Sequence, residues 1–282
     1  MLNFSKKCLR AGMTFSAITL SACQSDPPIP GLVIDNINGQ KIESITLKKP
    51  QHKAVLVFEN GSRETLDKWG KVFDVVGKDS SIFAYNRPGY GNSDASNSDR
   101  DGKTIVAELH QLLERKELKP PYILVGHSLG GLYVQLFAKT YPNEVQGIVL
   151  VDSVYPKMIK KPEDFPLMTR VAKKVFVSQT VQHEIDHIYN TGERILELPD
   201  IDDKPMVQLI NVPTSPGAIA LDFGVVNNDP KTIALVKKLY PNAKKVIVDS
   251  SHAMQIANPE VVIAAVRDMQ KVGDTESVTV SK

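Results

Sequence analysis

Apolar positions along the chain switch between two periods, and the switching predicts the order of elements. Residues 31 to 47 run with a period of two around Asn38-Gly39, so Leu32 to Asp35 and Ile42 to Leu47 are expected to pair as an antiparallel hairpin. Ala54 to Phe58 is apolar throughout, which predicts a central strand. Leu66, Trp69, Phe73 and Val76 then mark one helical face, Ile82 to Tyr85 a strand, and Ile105, Leu109, Leu112 and Leu113 a second helix. Ile123 to Val125 is a short buried strand, followed by a helix with Leu129, Leu132, Leu136 and Phe137 on one side, stopped by Tyr141-Pro142. Gly147 to Val151, Met206 to Ile210 and Val246 to Val248 read as strands, and Thr232 to Leu239 and Pro259 to Met269 as helices. Strands that alternate with helices need crossover connections. The expected fold class is therefore α/β, a mostly parallel sheet with helices on both faces.

Two stretches stand outside this alternation. From Asp152 to Pro205 the strand pattern lapses for too long to be a simple connection, and the stretch still carries pattern, so residues 154–204 are expected to form a helical cap insertion. Its first half sets Lys157, Lys160, Lys161, Arg170, Lys173 and Lys174 among Met158, Phe165, Leu167, Met168 and Val171. Such a stretch reads as a solvated helix face, the alternative being a surface that leans on anionic headgroups or an anionic substrate. The second exception is the first 22 residues, where Lys6, Lys7 and Arg10 precede a short apolar run from Ala11 to Leu20. That is the layout of an export signal, too short to span a bilayer. The main domain is then residues 31–272, with a polar tail at 273–282.

Length and composition fit a globular protein, since 282 residues at 42% hydrophobic can bury a full core. Lys and Arg total 34 against 32 Asp and Glu, so the clustered basic excess of nucleic-acid binders is missing. Leu20-Ser21-Ala22-Cys23 resembles the lipobox of bacterial lipoproteins, which implies cleavage before Cys23 and acylation of its thiol. Loss of Lys6, Lys7 and Arg10 with the leader would take the formal charge from +2 to −1, and loss of Cys8 would leave Cys23 without a disulfide partner. Residues 23–30, rich in proline, would form a short stiff tether. By the same resemblance, Gln24 after the cysteine favours the periplasmic side of an outer membrane.

The chemistry concentrates at Gly126-His127-Ser128-Leu129-Gly130. A serine between a strand and a helix must take a strained conformation, tolerable only where the residues two before and two after lack a Cβ. The turn lifts the Ser128 hydroxyl off the sheet and aims a helix N-terminus at the reacting centre, which makes Ser128 the expected nucleophile. His127 points away from Ser128 and reads as a packing residue.

Together with Asn60-Gly61, Arg87-Pro88-Gly89-Tyr90-Gly91-Asn92-Ser93, Val151-Asp152-Ser153 and His252 with Pro259 seven residues on, this motif resembles the α/β-hydrolase superfamily over nearly all of residues 31 to 272. Asn60 departs from the histidine usual at that place. The resemblance implies a Ser-His-acid hydrolase acting on an ester or related acyl bond of a small or medium substrate, without cofactor or metal. Acyl transfer, peptide cleavage and ligand binding without turnover stay open as alternatives. His252, after the last strand, is the expected base, whereas His52 and His110 read as structural or surface residues. The backbone N–H groups of Ser62 and Leu129 are expected to form the oxyanion hole. The acid is ambiguous: Asp152 at the end of the strand after the elbow helix is favoured, with Asp229 next and Asp222 also in the region. His183-Glu184-Ile185-Asp186-His187 matches a zinc-protease motif, but Asn190 and Glu193 stand where its extension needs glycine and histidine.

Overall fold

The computed structural model describes residues 29, 31–37, 39–49, 53–211 and 230–279. Their strands form one eight-stranded sheet in the order β1-β2-β4-β3-β5-β6-β7-β8. The hairpin β1 (Leu32–Ile37) and β2 (Gln40–Leu47) pairs antiparallel, with Leu32 opposite Ile45, and β2 joins β4 (Ser81–Tyr85) antiparallel. The remaining strands, β3 (Val55–Glu59), β5 (Tyr122–His127), β6 (Val145–Val151), β7 (Met206–Asn211) and β8 (Lys244–Val248), pair parallel. The fold class expected from the apolar pattern is the one observed.

Period-two alternation divides each central strand between two cores. Leu56, Phe58, Ile123 and Val125 face Trp69, which precedes α1 (Gly70–Val76), and α1 and α8 (Pro259–Thr279) through Phe73, Val262 and Val266. Val57, Leu124, Ile148 and Leu150 face α2 (Gly102–Arg115) and α3 (Leu129–Thr140) through Ile105, Leu109, Leu132 and Phe137. With both faces covered, β3 and β5 are buried along their whole length, which is why they read as unbroken apolar runs. The register sets Glu59 beside Gly126, His127 beside Val151, and Val151 beside Leu209. The carboxyl ends of four neighbouring strands thus meet at one edge.

The segment between β6 and β7 is helical, as expected, and holds α4 (Leu167–Phe176) and α5 (Gln179–Glu197). Ile185, Ile188 and Ile195 of α5 join the main core, and the Thr191 hydroxyl accepts a hydrogen bond from Gly102 N at the start of α2. In α4 the expected solvated basic face is present at exposed Arg170 and Lys174 but not at Lys173, which is buried with Thr169, and the helix also turns Leu167, Met168, Val171, Val175 and Phe176 outward. The basic residues were conspicuous by composition, but the attachment of Lys173 to Asp186 decides which side faces in. A second difference lies at the C-terminus, where α6 (Pro230–Leu239), β8 and the short α7 (Met254–Ala257) lead into α8. That helix continues past Met269 to Thr279, because residues after Met269 lack an apolar repeat yet contain no proline to stop it.

Candidate active site

Ser128 joins β5 to α3 with φ 51° and ψ −119°. A non-glycine residue there is strained by about 1–3 kcal/mol and must be held by its surroundings. A Cβ on Gly126 would come within 3 Å of the Gly130 and Gly131 backbone, and one on Gly130 within 3 Å of the carbonyl oxygens of Glu59 and Asn60. Both motif glycines are therefore close-approach positions, as the sequence implied. Ser128 N–H donates to Val151 O at 3.0 Å, and Ser128 O accepts from Gly131 N and Val154 N, each at 3.0 Å. The turn is fastened to the end of β6, the strand that delivers Asp152.

Asp152 also has a positive φ, 41°, and its carboxylate is buried. Oδ1 accepts from Asn211 N at 3.3 Å, and Oδ2 lies 2.6 Å from His252 Nδ1. His252 sits in the loop between β8 and α7 with 58% of its side chain exposed, against 6% for Asp152. The Asp152 bond raises the imidazole pKa; burial works against it, and the charges of Asp152 and Glu64 add to the rise. With Nδ1 carrying the proton toward a carboxylate, Nε2 is left as the lone-pair nitrogen. Asp152, the acid favoured from the sequence, lies against His252; Asp222 and Asp229 lie outside the described residues, as do Cys23 and His52.

His127 does more than the packing expected of it. It is buried, its Nδ1 lies 2.6 Å from Glu64 Oε2 and 3.2 Å from Gln255 Nε2, and its Nε2 lies 2.9 Å from the His252 carbonyl oxygen. The two rings are 4.7 Å apart. Burial alone would raise the Glu64 carboxyl, but the His127 hydrogen bond and the charges of His127 and His252 outweigh it and hold the pKa below its usual range. The residue before the serine therefore ties the β3–α1 loop to the backbone of the expected base. Nothing at the sequence level marked Glu64, since its partner is 63 positions away.

The loop expected to supply an oxyanion donor is set by Arg87, which is buried at 1% exposure. Its guanidinium donates to Glu59 Oε1 at 2.5 Å, Asn60 O at 2.7 Å, Gly61 O at 3.0 Å and Glu184 Oε1 at 3.0 Å. The Gly61–Ser62 peptide is trans, so its C=O and N–H point in opposite directions. Holding Gly61 O against Arg87 therefore turns Ser62 N–H away from Arg87. Leu129 is the first residue of α3, and its N–H has no acceptor within the helix. The Asn60 side chain donates to Tyr85 O at 2.8 Å and accepts from Trp69 Nε1 at 2.9 Å, so the departure from histidine is absorbed by local hydrogen bonds.

The zinc-protease motif has other duties. Glu184 is fully buried and spent on Arg87 and on the Tyr90 hydroxyl, which donates to it at 2.6 Å. His183 is exposed, and His187 pairs with Asp99 at 3.3 Å. His110 lies 3.1 Å from Glu144 and stacks on Tyr141, a structural role as expected.

A family model described as alpha/beta hydrolase fold matches residues 54–223. The uncharacterized protein YbdG of Bacillus subtilis is 30% identical over 129 residues, 45% of this chain and 39% of that protein. Monoacylglycerol lipase ABHD6 of Mus musculus is 28% identical over 152 residues, 53% of this chain and 44% of that protein. The matched stretches thus span less than half of either relative's length. Among solved structures, a haloalkane dehalogenase loop variant from Bradyrhizobium elkanii superposes with a TM-score of 0.65 at 12% identity, covering 89% of this chain and 98% of the other.

Two outcomes test this geometry. Arg87→Lys replaces a planar fork by a point charge that cannot serve two carboxylates and two carbonyls at once. Leaving buried carboxylates short of a partner costs about 3–5 kcal/mol, read as a lower urea midpoint. If Ser62 N–H serves as an oxyanion donor, turnover should fall by about a hundredfold as it loses its aim, with KM little changed. The second outcome concerns pH. If His252 is the base it must be neutral to act, so the acid limb of kcat/KM should lie above the ordinary imidazole value of about 6.5. Glu64→Gln should move that limb to lower pH by a few tenths of a unit while the plateau persists. For stability the sign is the reverse: the His252 contribution is complete below about pH 6.5 and fades as pH rises through the raised value.

Proposed function

Because the chain belongs to the alpha/beta hydrolase fold family, we propose that it is a serine hydrolase that cleaves an ester or related acyl bond through an acyl-enzyme. The observation that carries this reading is the 2.6 Å bond between His252 Nδ1 and buried Asp152, at the strand edge where the strained Ser128 turn opens. Ser128 Oγ attacks the carbonyl carbon, and its proton passes to His252 Nε2. Asp152 fixes the tautomer and stabilises the imidazolium. The oxyanion is received by Ser62 N–H and Leu129 N–H, with the partial positive charge of the α3 N-terminus behind them. His252 then protonates the leaving oxygen as the carbonyl reforms. Water, activated by the same imidazole, clears the acyl group and restores Ser128. The similarity to a monoacylglycerol lipase supports an acyl ester as the substrate class.

The same reading includes an exported protein held at a cell-envelope membrane by acylated Cys23, supported by the Leu20-Ser21-Ala22-Cys23 box. Among the described residues no helix is long and apolar enough to cross a membrane.

Ser128→Ala should abolish turnover of short-chain esters and labelling by a fluorophosphonate probe, with the melting curve retained. Asp152→Asn should lower turnover on the order of a thousandfold or more, whereas Asp229→Asn should leave it near wild type. Persistent labelling of Ser128→Ala sinks the nucleophile, and the opposite ranking of the two aspartates reassigns the acid. Cys23→Ser should give a precursor that takes up no clickable palmitate in growing cells; a wild-type chain that also takes up none refutes the anchor.

A further inference from the structure

The outward face of α4 is unlike the rest of the surface. Of twelve exposed large apolar side chains among the described residues, five belong to this one helix: Leu167, Met168, Val171, Val175 and Phe176. At 100° per residue they fall within one half of the helix circumference. Met168 and Phe176 are 75% and 78% exposed, while Thr169 and Lys173 on the opposite side are buried. The helix is fastened by its polar side, with Lys173 bonded to Asp186 of α5 and lying over the Phe165 ring. In water, an amphipathic helix on a protein body takes the reverse orientation. A continuous apolar face of this kind marks an interaction surface.

Charge selects the partner. Residues 157–176 carry six basic side chains and two acidic ones, Glu163 and Asp164; Lys157 and Lys173 are paired with Glu193 and Asp186, which leaves Arg170 and Lys174 as the basic residues at the helix surface. Arg170 and Lys174 are exposed along one border of the apolar arc, and exposed Lys157 and Lys161 precede it. Two copies of this chain meeting face to face would bring borders of like charge together. An anionic bilayer complements both parts, taking the apolar side chains among its acyl chains and the basic border among its headgroups. Ten residues at 1.5 Å each give about 15 Å, which suits a helix lying in the interface and not one crossing it.

We propose that α4 is a membrane-docking helix that seats the cap on an anionic lipid surface, independently of any anchor on Cys23. Asp186 and Glu184 share α5, so the docked helix is fastened to the element that holds Arg87 and, through it, the Gly61 carbonyl.

The test places a reporter on the helix in the full chain. Trp69 is the single native tryptophan and is buried, so Phe176→Trp, or Met168→Trp as a second variant, supplies the emission that responds to surroundings. Vesicles containing phosphatidylglycerol should shift this emission to the blue, and brominated acyl chains should quench it, whereas phosphatidylcholine alone should do neither. Adding Arg170→Gln and Lys174→Gln should weaken the response on the order of tenfold or more. A leader or lipid anchor is common to all these variants and does not mimic that difference. Turnover of a soluble short-chain ester without vesicles is measured in parallel, so an inactive enzyme is distinguished from one that does not dock. The proposal is overturned by an unchanged spectrum with anionic vesicles in chains that still turn over the ester. It is equally overturned if the blue shift appears without lipid and grows with protein concentration, the mark of self-association, or if the charge variants respond like their parent.

Discussion

The buried Arg87 guanidinium governs how the cap, the sheet edge and the loop after β3 sit together. A charge removed from water is tolerable only with near-complete compensation, and Arg87 finds it in two carboxylates, two carbonyls and the faces of Tyr90 and Tyr133. Each partner is thereby constrained as well. Glu59 ends β3, Glu184 fixes α5, and the two carbonyls set the peptide planes on either side of Gly61. The Tyr90 hydroxyl extends the arrangement by accepting from Arg63 N while donating to Glu184. The local backbone at residues 60–63 is thus dictated by a cation buried beneath it.

The fold was legible because both faces of the sheet are covered, which made the central strands plain in the apolar pattern. Ser128 was legible for a related reason, since its strain requires glycines at fixed offsets and those glycines can be read. Asp152 is favoured by the resemblance and by its place at a strand end on the sheet edge of Ser128, but a strand-end aspartate has no local mark to separate it from an unused one. The part that escaped the sequence is the polar support. Glu64, Glu184 and Arg87 meet their partners across separations of 63, 97 and 28 residues. No period or short motif encodes such meetings. His127 was misjudged for the same reason, because its surroundings come from the β3–α1 loop and the α7 region and not from its own turn.

The zinc-like run in α5 and the basic stretch in α4 show how composition misleads when orientation is unknown. His183 to His187 has the spacing of a ligand pair, but the helix turns Glu184 toward Arg87 and leaves the two histidines on different errands. In α4 the lysines drew attention, yet the outward face is largely apolar. Both helices are defined by what a single inward charged side chain grips: Glu184 on Arg87, Lys173 on Asp186.

Ser128 and Asp152 come from successive strands of one unit, β5-α3-β6, with the serine turn hydrogen-bonded directly to Val151. Their spacing is therefore settled by a short, contiguous stretch of chain, whereas His252 comes from 100 residues beyond Asp152. Everything inserted between them, α4 and α5 included, enters the chain after the serine–aspartate frame is complete. A longer or shorter cap would therefore alter only the connection that leads from Asp152 toward His252 and leave the β5-α3-β6 unit as it is.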